Sequence, residues 1–295
     1  MVTPFFTPSE ALNTRIEKVH LAFLRLLVRA HKGTCSWALI REFGRRPFQF
    51  YWWRSVLQFW NESCETQDNP LIVAAFASDL ALSQMGCLYT WSHQVRSAYT
   101  KLLLNERDHS RDRTFLSFST VDTKDIMKKV STEYTSFWPD LGSLGDIRTP
   151  GLGSRKISTY AKHFLRDPES DFSPIPSYLH SNKKNAVKRY ARFRLGSHYL
   201  GVETGRHPPH YLDWADRKCS RCSEEYINGL VCGVDDEYHV IFECEGFSDL
   251  RACCNVDKYC TIREFMDSDQ SFYFVSEMMR ILDVAEQSRQ ADGNM

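Results

Sequence analysis

Hydrophobic side chains recur every three or four residues through much of the first half of the chain, which is the spacing of one face of an α-helix. Within residues 9–31 that face is formed by Leu12, Ile16, Val19, Phe23, Leu26 and Leu27. Pro47 and Pro70 suit the first turns of two further helices, because proline lacks the amide hydrogen that a first turn leaves unbonded. Gly86 separates the third helix from a fourth, around residues 91–104. The pattern therefore predicts a helical N-terminal region.

The second half of the chain also has helical spacing, with little of the alternation that is typical of strands. Helices are expected over about 123–138, over 182–195, where the residues are basic, and over 268–288. We expect few strands, with a short hairpin near residues 199–203. Residues 139–155 carry four glycines and two prolines, a composition typical of a connection.

Composition excludes several classes of protein. The 295 residues are 42% hydrophobic, 13% aromatic and 25% charged, which are ordinary values for a globular chain. The net charge is zero, so any nucleic-acid surface must be local. The longest apolar run, residues 71–77, is far shorter than the roughly 20 residues of a membrane span. Without a signal-peptide pattern at the N-terminus, we expect an intracellular protein with no membrane partner, whose ten cysteines are thiols or metal ligands.

Four residues have the spacing of a metal site. Cys219, Cys222, His239 and Cys244 form the pattern C-x2-C-x16-H-x4-C. A tight C-x2-C turn lets two thiolates reach one ion. His239 and Cys244 are five residues apart, which leaves them about 140° out of line on an α-helix, so the helix must loosen there. Three sulfurs and one imidazole fill a tetrahedron and leave no position for water, so the pattern predicts one structural Zn²⁺ per chain.

Other assignments of these cysteines stay open on spacing alone. The four residues need not share an ion, and two of the thiols can instead be buried core residues. Six other side chains are competing ligands: His207, His210, Cys232, Cys253, Cys254 and Cys260.

Charge is divided unevenly around this cluster. Residues 181–222 contain ten Lys and Arg against three acidic residues, whereas residues 223–250 contain eight acidic residues and no Lys or Arg. The candidate phosphate contacts are Lys184, Lys188, Arg189, Arg192, Arg194 and Arg206. Tyr190 or Phe193, interleaved with them, could stack on a base. The alternative is a solvated basic face that the acidic run neutralises.

The sequence predicts no catalysis. Asp235, Asp236 and Glu237 are the only candidates for a two-metal carboxylate site, and no second acidic motif supports them. Neither a phosphate-binding G-x4-G-K-[ST] loop nor an H-E-x-x-H motif occurs. We therefore expect no small-molecule substrate.

Four motifs occur in an order that is characteristic of one family. They are Arg192-Phe-Arg-Leu-Gly-Ser-His198, Val202-Glu-Thr-Gly-Arg206, Cys219-x2-Cys222 and Asp236-Glu-Tyr-His239-Val-Ile-Phe-Glu-Cys244. Together they resemble the C-terminal region of reverse transcriptases from non-LTR (LINE-type) retrotransposons. The tryptophan-rich segment around Trp52-Trp53 is similar to the linker that follows the polymerase thumb. The family's polymerase carboxylates and endonuclease have no counterpart here, so the resemblance implies a non-catalytic tail that grips RNA or DNA.

These observations predict a mainly α protein with a helical N-terminal domain and a small C-terminal zinc-knuckle domain flanked by helices. The predicted boundaries are a helical domain at 1–138, a linker at 139–180, the basic helix and knuckle at 181–266, and a C-terminal helix and tail at 267–295. The expected partner is RNA or DNA, single-stranded and tolerant of sequence. The alternative hypothesis is a zinc-stabilised protein-interaction module or a decayed or domesticated element remnant.

Overall fold

The chain is mainly α-helical, as the hydrophobic spacing predicts. A computed structural model describes residues 10–65, 68–103, 120, 122–135, 155–165, 175–206, 211–222 and 233–292. Over these ranges β pairing is limited to one isolated antiparallel bridge between Lys218 and Val234. Within the same ranges no helix combines the length and the apolar character that crossing a membrane requires.

The helices are numbered in chain order. They are α1 (Glu10–Val28), α2 (Ser36–Glu42), α3 (Phe48–Glu65), α4 (Pro70–Gln84), α5 (Trp91–Leu103), α6 (Thr123–Thr135), α7 (Arg155–His163), α8 (Lys184–Arg194), α9 (Gly201–Thr204), α10 (Ser248–Cys254), α11 (Ile262–Met266) and α12 (Ser271–Asp292). Short 3-10 turns occur at Ser177–His180, Trp214–Asp216, Glu245–Phe247 and Val256–Lys258, and a π-helical turn at His239–Glu243.

Contacts group the chain into two compact units, the first formed by residues 1–20 and 46–137. Its core is aromatic. The fully buried Trp60 of α3 lies 5.2 Å from the ring of Phe76 in α4 and 5.9 Å from that of Trp91 in α5. The Asp79 carboxylate accepts hydrogen bonds from the backbone N–H of Trp91 and of Ser92, both at 2.9 Å. Asp79 thus supplies acceptors for amides that the first turn of α5 cannot satisfy itself.

The second unit, residues 21–45 and 138–295, is organised around the pairing of α8 with α12. The buried apolar side chains of this pairing are Phe193, Phe274, Val275, Met278 and Met279. The Phe265 ring of α11 meets the Phe274 ring edge-on at 5.3 Å. α11 is held at its start by a capping box between Thr261 and Glu264. The segments that carry Cys219, Cys222, His239 and Cys244 belong to this same unit.

Two local predictions are wrong. Residues 201–204 form the short helix α9, not a hairpin strand, because the Leu200 carbonyl accepts from the N–H groups of Glu203 and Thr204. Among the described side chains of α1, the buried positions are Leu21, Leu24 and Val28, whereas four residues of the predicted apolar face are exposed: Val19, Phe23, Leu26 and Leu27. The periodicity identified a helix but not the side that packs.

The observed units differ from the predicted boundaries. Residues 21–45 belong to the second unit, which also contains Cys219, Cys222 and Cys244, and not to the domain predicted at 1–138. Helix α12 packs on α8 and does not form a separate tail. A long-range ion pair between Glu42 and Arg194 contributes to this grouping. The glycine-rich part of the predicted linker, 139–154, lies outside the described residues.

Candidate metal centre and its surroundings

The first two residues of the predicted metal site lie on a tight turn that begins at Cys219. The bridge between Lys218 and Val234 places the start of this turn beside the segment that leads to His239. The Cys219 side chain is buried, and Cys222, three residues further on, is half-buried. Both thiols face inward from one turn, as a C-x2-C spacing allows.

The other two residues are brought together by a change of helix type. His239–Glu243 is a π-helical turn, closed by a 2.7 Å hydrogen bond from the Cys244 backbone N–H to the His239 carbonyl. A π-helix makes its hydrogen bonds five residues apart, so residues at that spacing share a side of the chain. The expected loosening at H-x4-C is therefore present, and both side chains are buried.

The four side chains converge. One ligand atom from each of Cys219, Cys222, His239 and Cys244 can be chosen so that all four lie within 4.8 Å of one another. The sulfurs of Cys219 and Cys244 are 3.6 Å apart, and the Cys222 sulfur is 3.4 Å from His239 Nε2. The ligand distances usual for Zn²⁺ give a tetrahedron with edges of about 3.5–3.8 Å. The spacing of the group therefore fits a four-coordinate metal ion.

A carboxylate orients the histidine. Glu243 Oε2 lies 3.2 Å from His239 Nδ1, so a proton on Nδ1 leaves Nε2 free to face the sulfurs. Gly233 leaves room for this contact, because a Cβ there would lie 2.7 Å from His239 Nδ1 and 3.1 Å from Glu243 Oε2. The glycine is required by this close approach rather than by its backbone angles.

One thiol of the cluster loses its proton more readily than its neighbour. The hydrogen bond between Cys219 and Cys244 lowers the pKa of the Cys244 thiol and raises that of Cys219. Burial opposes the lowering at Cys244, and His239 and the Arg221 guanidinium assist it. Burial lowers the pKa of His239, but hydrogen bonds with Cys244 and Glu243 outweigh it and raise that pKa overall. A thiolate in this position attracts a cation, and Arg221, paired with Asp235, moderates the surrounding charge.

The competing ligands are not part of this group. Cys253 and Cys260 are exposed, and Cys254 is a buried thiol on α10 whose pKa is raised by burial and by Cys253. Among the described residues, the only Cys/His/Asp/Glu group with metal-site geometry is the predicted one. His207, His210 and Cys232 lie outside the described residues.

The three adjacent carboxylates bind protein groups. Asp235 accepts from the Gly201 N–H at 2.7 Å and pairs with Arg221. Asp236 accepts from the His239 N–H at 2.8 Å. Glu237 lies 3.1 Å from Nε2 of the buried His198. Each carboxylate thus binds a group in or beside the segments that carry the Cys/His cluster.

Arg194, a predicted phosphate contact, is buried instead. Only 7% of it is exposed, and its guanidinium lies 2.6 and 3.1 Å from the two carboxylate oxygens of Glu42, which is fully buried. Tyr160 and Tyr178 donate hydroxyl protons to the same carboxylate. Burial, then the Glu42 charge, raises the pKa of both tyrosines well above the ordinary value. The prediction of an Arg194 contact with phosphate is therefore wrong.

Arg192 is also withdrawn from the surface. Its guanidinium donates to both carboxylate oxygens of Asp283 on α12, at 3.0 and 3.1 Å, and to the Ser197 carbonyl. Arg189 shares Asp283 at 3.7 Å. The pairing of α8 with α12 brings Asp283 to both arginines, so the prediction that the buried Arg192 binds phosphate is corrected too.

The remaining predicted contacts are more accessible. Arg206 is half-buried and lies 3.5 Å from Glu203. Lys184 is exposed and Lys188 half-buried, and no acidic group of the described chain forms an ion pair with either lysine. The candidate stacking residues Tyr190 and Phe193 are buried in the core of the second unit and cannot stack on a base.

Over the described parts of the two charge runs, the ion pairs do not simply join one run to the other. Arg221 of the basic run pairs with Asp235 of the acidic run, whereas Arg192 and Arg194 pair with acids outside both runs. The sequence reasoning missed Glu42 and Asp283, because they lie 152 and 91 residues from their arginines. The sequence does not single out Asp283, because its helix also contains Glu277, Glu286 and Asp292.

The motifs that carry the family resemblance have structural roles in this unit. Gly196 has a φ of +59°, and Ser197 N–H bonds to the Arg192 carbonyl at 2.8 Å, which reverses the chain after α8. Glu203 is buried and pairs with Lys156 at 3.0 Å.

No protein-family model, curated protein or solved structure matches the chain.

Proposed function

We propose that this chain is a zinc-stabilised, non-catalytic nucleic-acid-binding module, similar to the part of a non-LTR retrotransposon reverse transcriptase that follows the polymerase. The observation that carries the proposal is the convergence of Cys219, Cys222, His239 and Cys244. Three thiolates and one imidazole are the ligand set of structural Zn²⁺ sites. The four-motif order of the sequence supports the family.

The metal would serve folding. The four ligands come from two turns that share one isolated bridge, and the described residues of these turns contain no sheet that could hold them together. An ion that is bound by ligands from both turns crosslinks them. The free energy of metal binding therefore adds to the free energy of folding. We expect one Zn²⁺ per purified chain by elemental analysis, and a lower content in Cys222→Ser.

The nucleic-acid surface in this proposal is smaller than the sequence predicted. Lys183 and Lys184 are exposed at the start of α8, and Lys188 lies one turn further along the same face. Two or three phosphate contacts by these lysines give a log–log salt slope of about −1.5 to −2 on single strands. The binding would depend on charge and not on base sequence, since the aromatic residues of α8 are buried.

The test is a fluorescence-anisotropy titration of the zinc-loaded chain with a single-stranded RNA and a single-stranded DNA at several salt concentrations. We expect Lys184→Glu/Lys188→Glu to abolish binding at low salt. Lys258→Glu/Arg289→Glu, which makes the same change in net charge at exposed positions elsewhere, should leave it nearly unchanged. Equal loss in both double variants would contradict a site on α8.

The second candidate is a protein-interaction module. It is favoured by the ion pairs that occupy Arg189, Arg192 and Arg194, which leave fewer cations for phosphate than the sequence contains. Absence of binding by the wild-type chain at low salt would favour this function and leave the proposed role of the metal intact.

A further inference from the structure

Helix α4 is apolar on the side that faces away from the first unit. Its buried side chains are Phe76 and Ser83, which lie on one side of the helix. At 100° per residue the direction opposite this side passes between Ala74 and Met85, and Ser78 lies about 30° from it. The residues within about 60° of Ser78 are Leu71, Ala74, Ala75, Ser78, Ala81, Leu82 and Met85, and all seven are exposed. We call this set the outer stripe.

The outer stripe contains no charged residue and three large exposed side chains. Leu71 is 80% exposed, Leu82 49% and Met85 83%. A surface helix of a monomer normally turns polar and charged residues to this side. A continuous apolar stripe over four helical turns is instead typical of a surface that another helix covers.

The positions in the stripe pair off on either side of Ser78, and two of the three pairs match in size. Leu71 and Met85 lie seven residues before and after it, Ala74 and Leu82 four, and Ala75 and Ala81 three. When two copies of such a helix pack antiparallel around a two-fold axis at Ser78, each position meets its mirror position. At the two ends Leu71 of one copy faces Met85 of the other, and one turn further in Leu82 faces Ala74. Near the centre Ala75 faces Ala81, and Ser78 faces its own copy.

We propose that the outer stripe binds a second copy of this chain, through an antiparallel α4–α4 contact centred on Ser78. Isologous contacts require a surface that is complementary to itself. The stripe meets that requirement, because Leu82 faces the small Ala74 and no like charges meet. An acidic or basic partner would find no opposite charge on the stripe. The proposal does not depend on the proposed function.

Burying the centre of the stripe leaves no polar group without a partner. The Ser78 hydroxyl already donates to the Ala74 carbonyl at 2.8 Å. The neighbouring Asp79 carboxylate points to the start of α5, where two backbone N–H groups satisfy it. The usual cost of desolvating polar side chains is therefore small here.

The size of the surface also suits a dimer. An apolar patch of seven contiguous exposed side chains, three of them large, is on the order of 600 Å². Pairing two such patches buries at most about 1,200 Å², the lower end of the range for stable protein complexes. The expected affinity is therefore modest and the dimer dependent on concentration.

The test is sedimentation velocity of the full, zinc-loaded chain from about 1 to 100 µM. We expect a monomer–dimer equilibrium in the wild type. Ser78→Glu places two carboxylates against each other at the axis and should weaken the dimer about 100-fold or more. Ala77→Glu introduces the same charge on the same helix outside the stripe and should leave the dimer in place.

Charge complementation makes the test specific to this geometry. Ser78→Lys alone should also be monomeric, and an equimolar mixture with Ser78→Glu should restore dimers, because the axis residue meets its own copy. Mixing Leu71→Glu with Met85→Lys should restore dimers only in the antiparallel arrangement, where Leu71 faces Met85 of the partner subunit. Thermal melting checks that each variant folds.

A wild-type chain that stays monomeric at 100 µM would overturn the proposal, as would a dimer that Ser78→Glu leaves intact. If Ser78→Glu does not fold, the Leu71→Glu and Met85→Lys pair decides the question alone. Dimers that the Glu and Lys variants do not restore on mixing would exclude a two-fold contact at Ser78.

Discussion

At the scale of single residues, the buried ion pair between Arg194 and Glu42 joins distant parts of the second unit. Both groups are buried, and the carboxylate accepts four hydrogen bonds, two from the guanidinium and one each from Tyr160 and Tyr178. A buried charge is tolerated only when its partners replace the water that it has lost. The pair therefore makes the position of α8 dependent on α2.

Replacing Arg194 with methionine should lower the free energy of unfolding by about 3–5 kcal/mol, because Glu42 is left buried without its counter-ion. Arg280→Met removes a guanidinium that pairs with Glu277 at the surface, so its cost should stay below about 1 kcal/mol. Urea denaturation of both variants measures the difference. In a double-mutant cycle, Glu42→Gln should recover part of the loss, and additive losses would mean that the pair contributes no coupling.

Glu243 should contribute to metal binding although it is not a ligand. Removing it in Glu243→Ala takes away the acceptor that holds His239 Nδ1–H, and second-shell losses of this kind lower metal affinity about 10- to 100-fold. Glu243→Gln keeps an acceptor oxygen, so its metal affinity should fall much less than that of Glu243→Ala. Competition with a chromophoric chelator measures both.

Asp249→Ala is the matched control for this comparison, since it removes an exposed carboxylate from the neighbouring helix α10. A loss in Glu243→Ala no larger than that in Asp249→Ala would assign the effect to net charge rather than to orientation of the histidine.

At the scale of secondary structure, helix ends and interruptions place the important side chains. The π-helical turn brings His239 and Cys244 to one side, and the left-handed Gly196 turns the chain from α8 towards α9. In the first unit, Asp79 in the second half of α4 accepts hydrogen bonds from two backbone N–H groups at the start of α5, and so fixes where α5 begins. Such contacts link consecutive helices at little cost in conformational freedom.

Asp79→Ala should destabilise the first unit by about 1–2 kcal/mol, the usual cost of losing a group that caps a helix N-terminus. The expected result is a lower melting temperature with unchanged zinc content, since the four residues of the Cys/His cluster lie in the other unit. Asp68→Ala, which removes an exposed carboxylate just before α4, is the control and should melt like the wild type. A loss of zinc in Asp79→Ala would contradict independent stabilisation of the two units.

At the scale of the whole molecule, the proposed metal makes stability depend on pH in one direction. The ligands bind Zn²⁺ as thiolates and neutral imidazole, so protons compete with the metal. The difference in melting temperature between the zinc-loaded and the chelator-treated chain should therefore be largest near pH 8 and shrink as pH falls below about 6.

Differential scanning calorimetry of the two forms across this pH range measures the effect. Cys222→Ser should behave like the chelator-treated wild type at every pH. A difference between loaded and treated chains that grows as the pH falls would contradict thiolate and imidazole ligation.

The sequence by itself determined most of the longer helices and the four members of the Cys/His cluster, but not the short helices α2, α7, α9, α10 and α11. Both depend on near neighbours along the chain: the three- and four-residue spacing of α3, α4 and α12, and the C-x2-C and H-x4-C spacings, whose geometry follows from local hydrogen bonds. The five-residue interval even indicated that the helix must widen between His239 and Cys244.

Tertiary structure alone decided which charges reach solvent. Arg192 and Arg194 look like surface cations in sequence, and they are buried because folding brings Asp283 and Glu42 to them from distant parts of the chain. It also decided that α1 packs through Leu21 and Leu24 and not through the apolar face predicted for it. Periodicity identifies which residues share a face, but only the packing of distant segments decides which face is covered, because burial depends on what the rest of the chain places beside it.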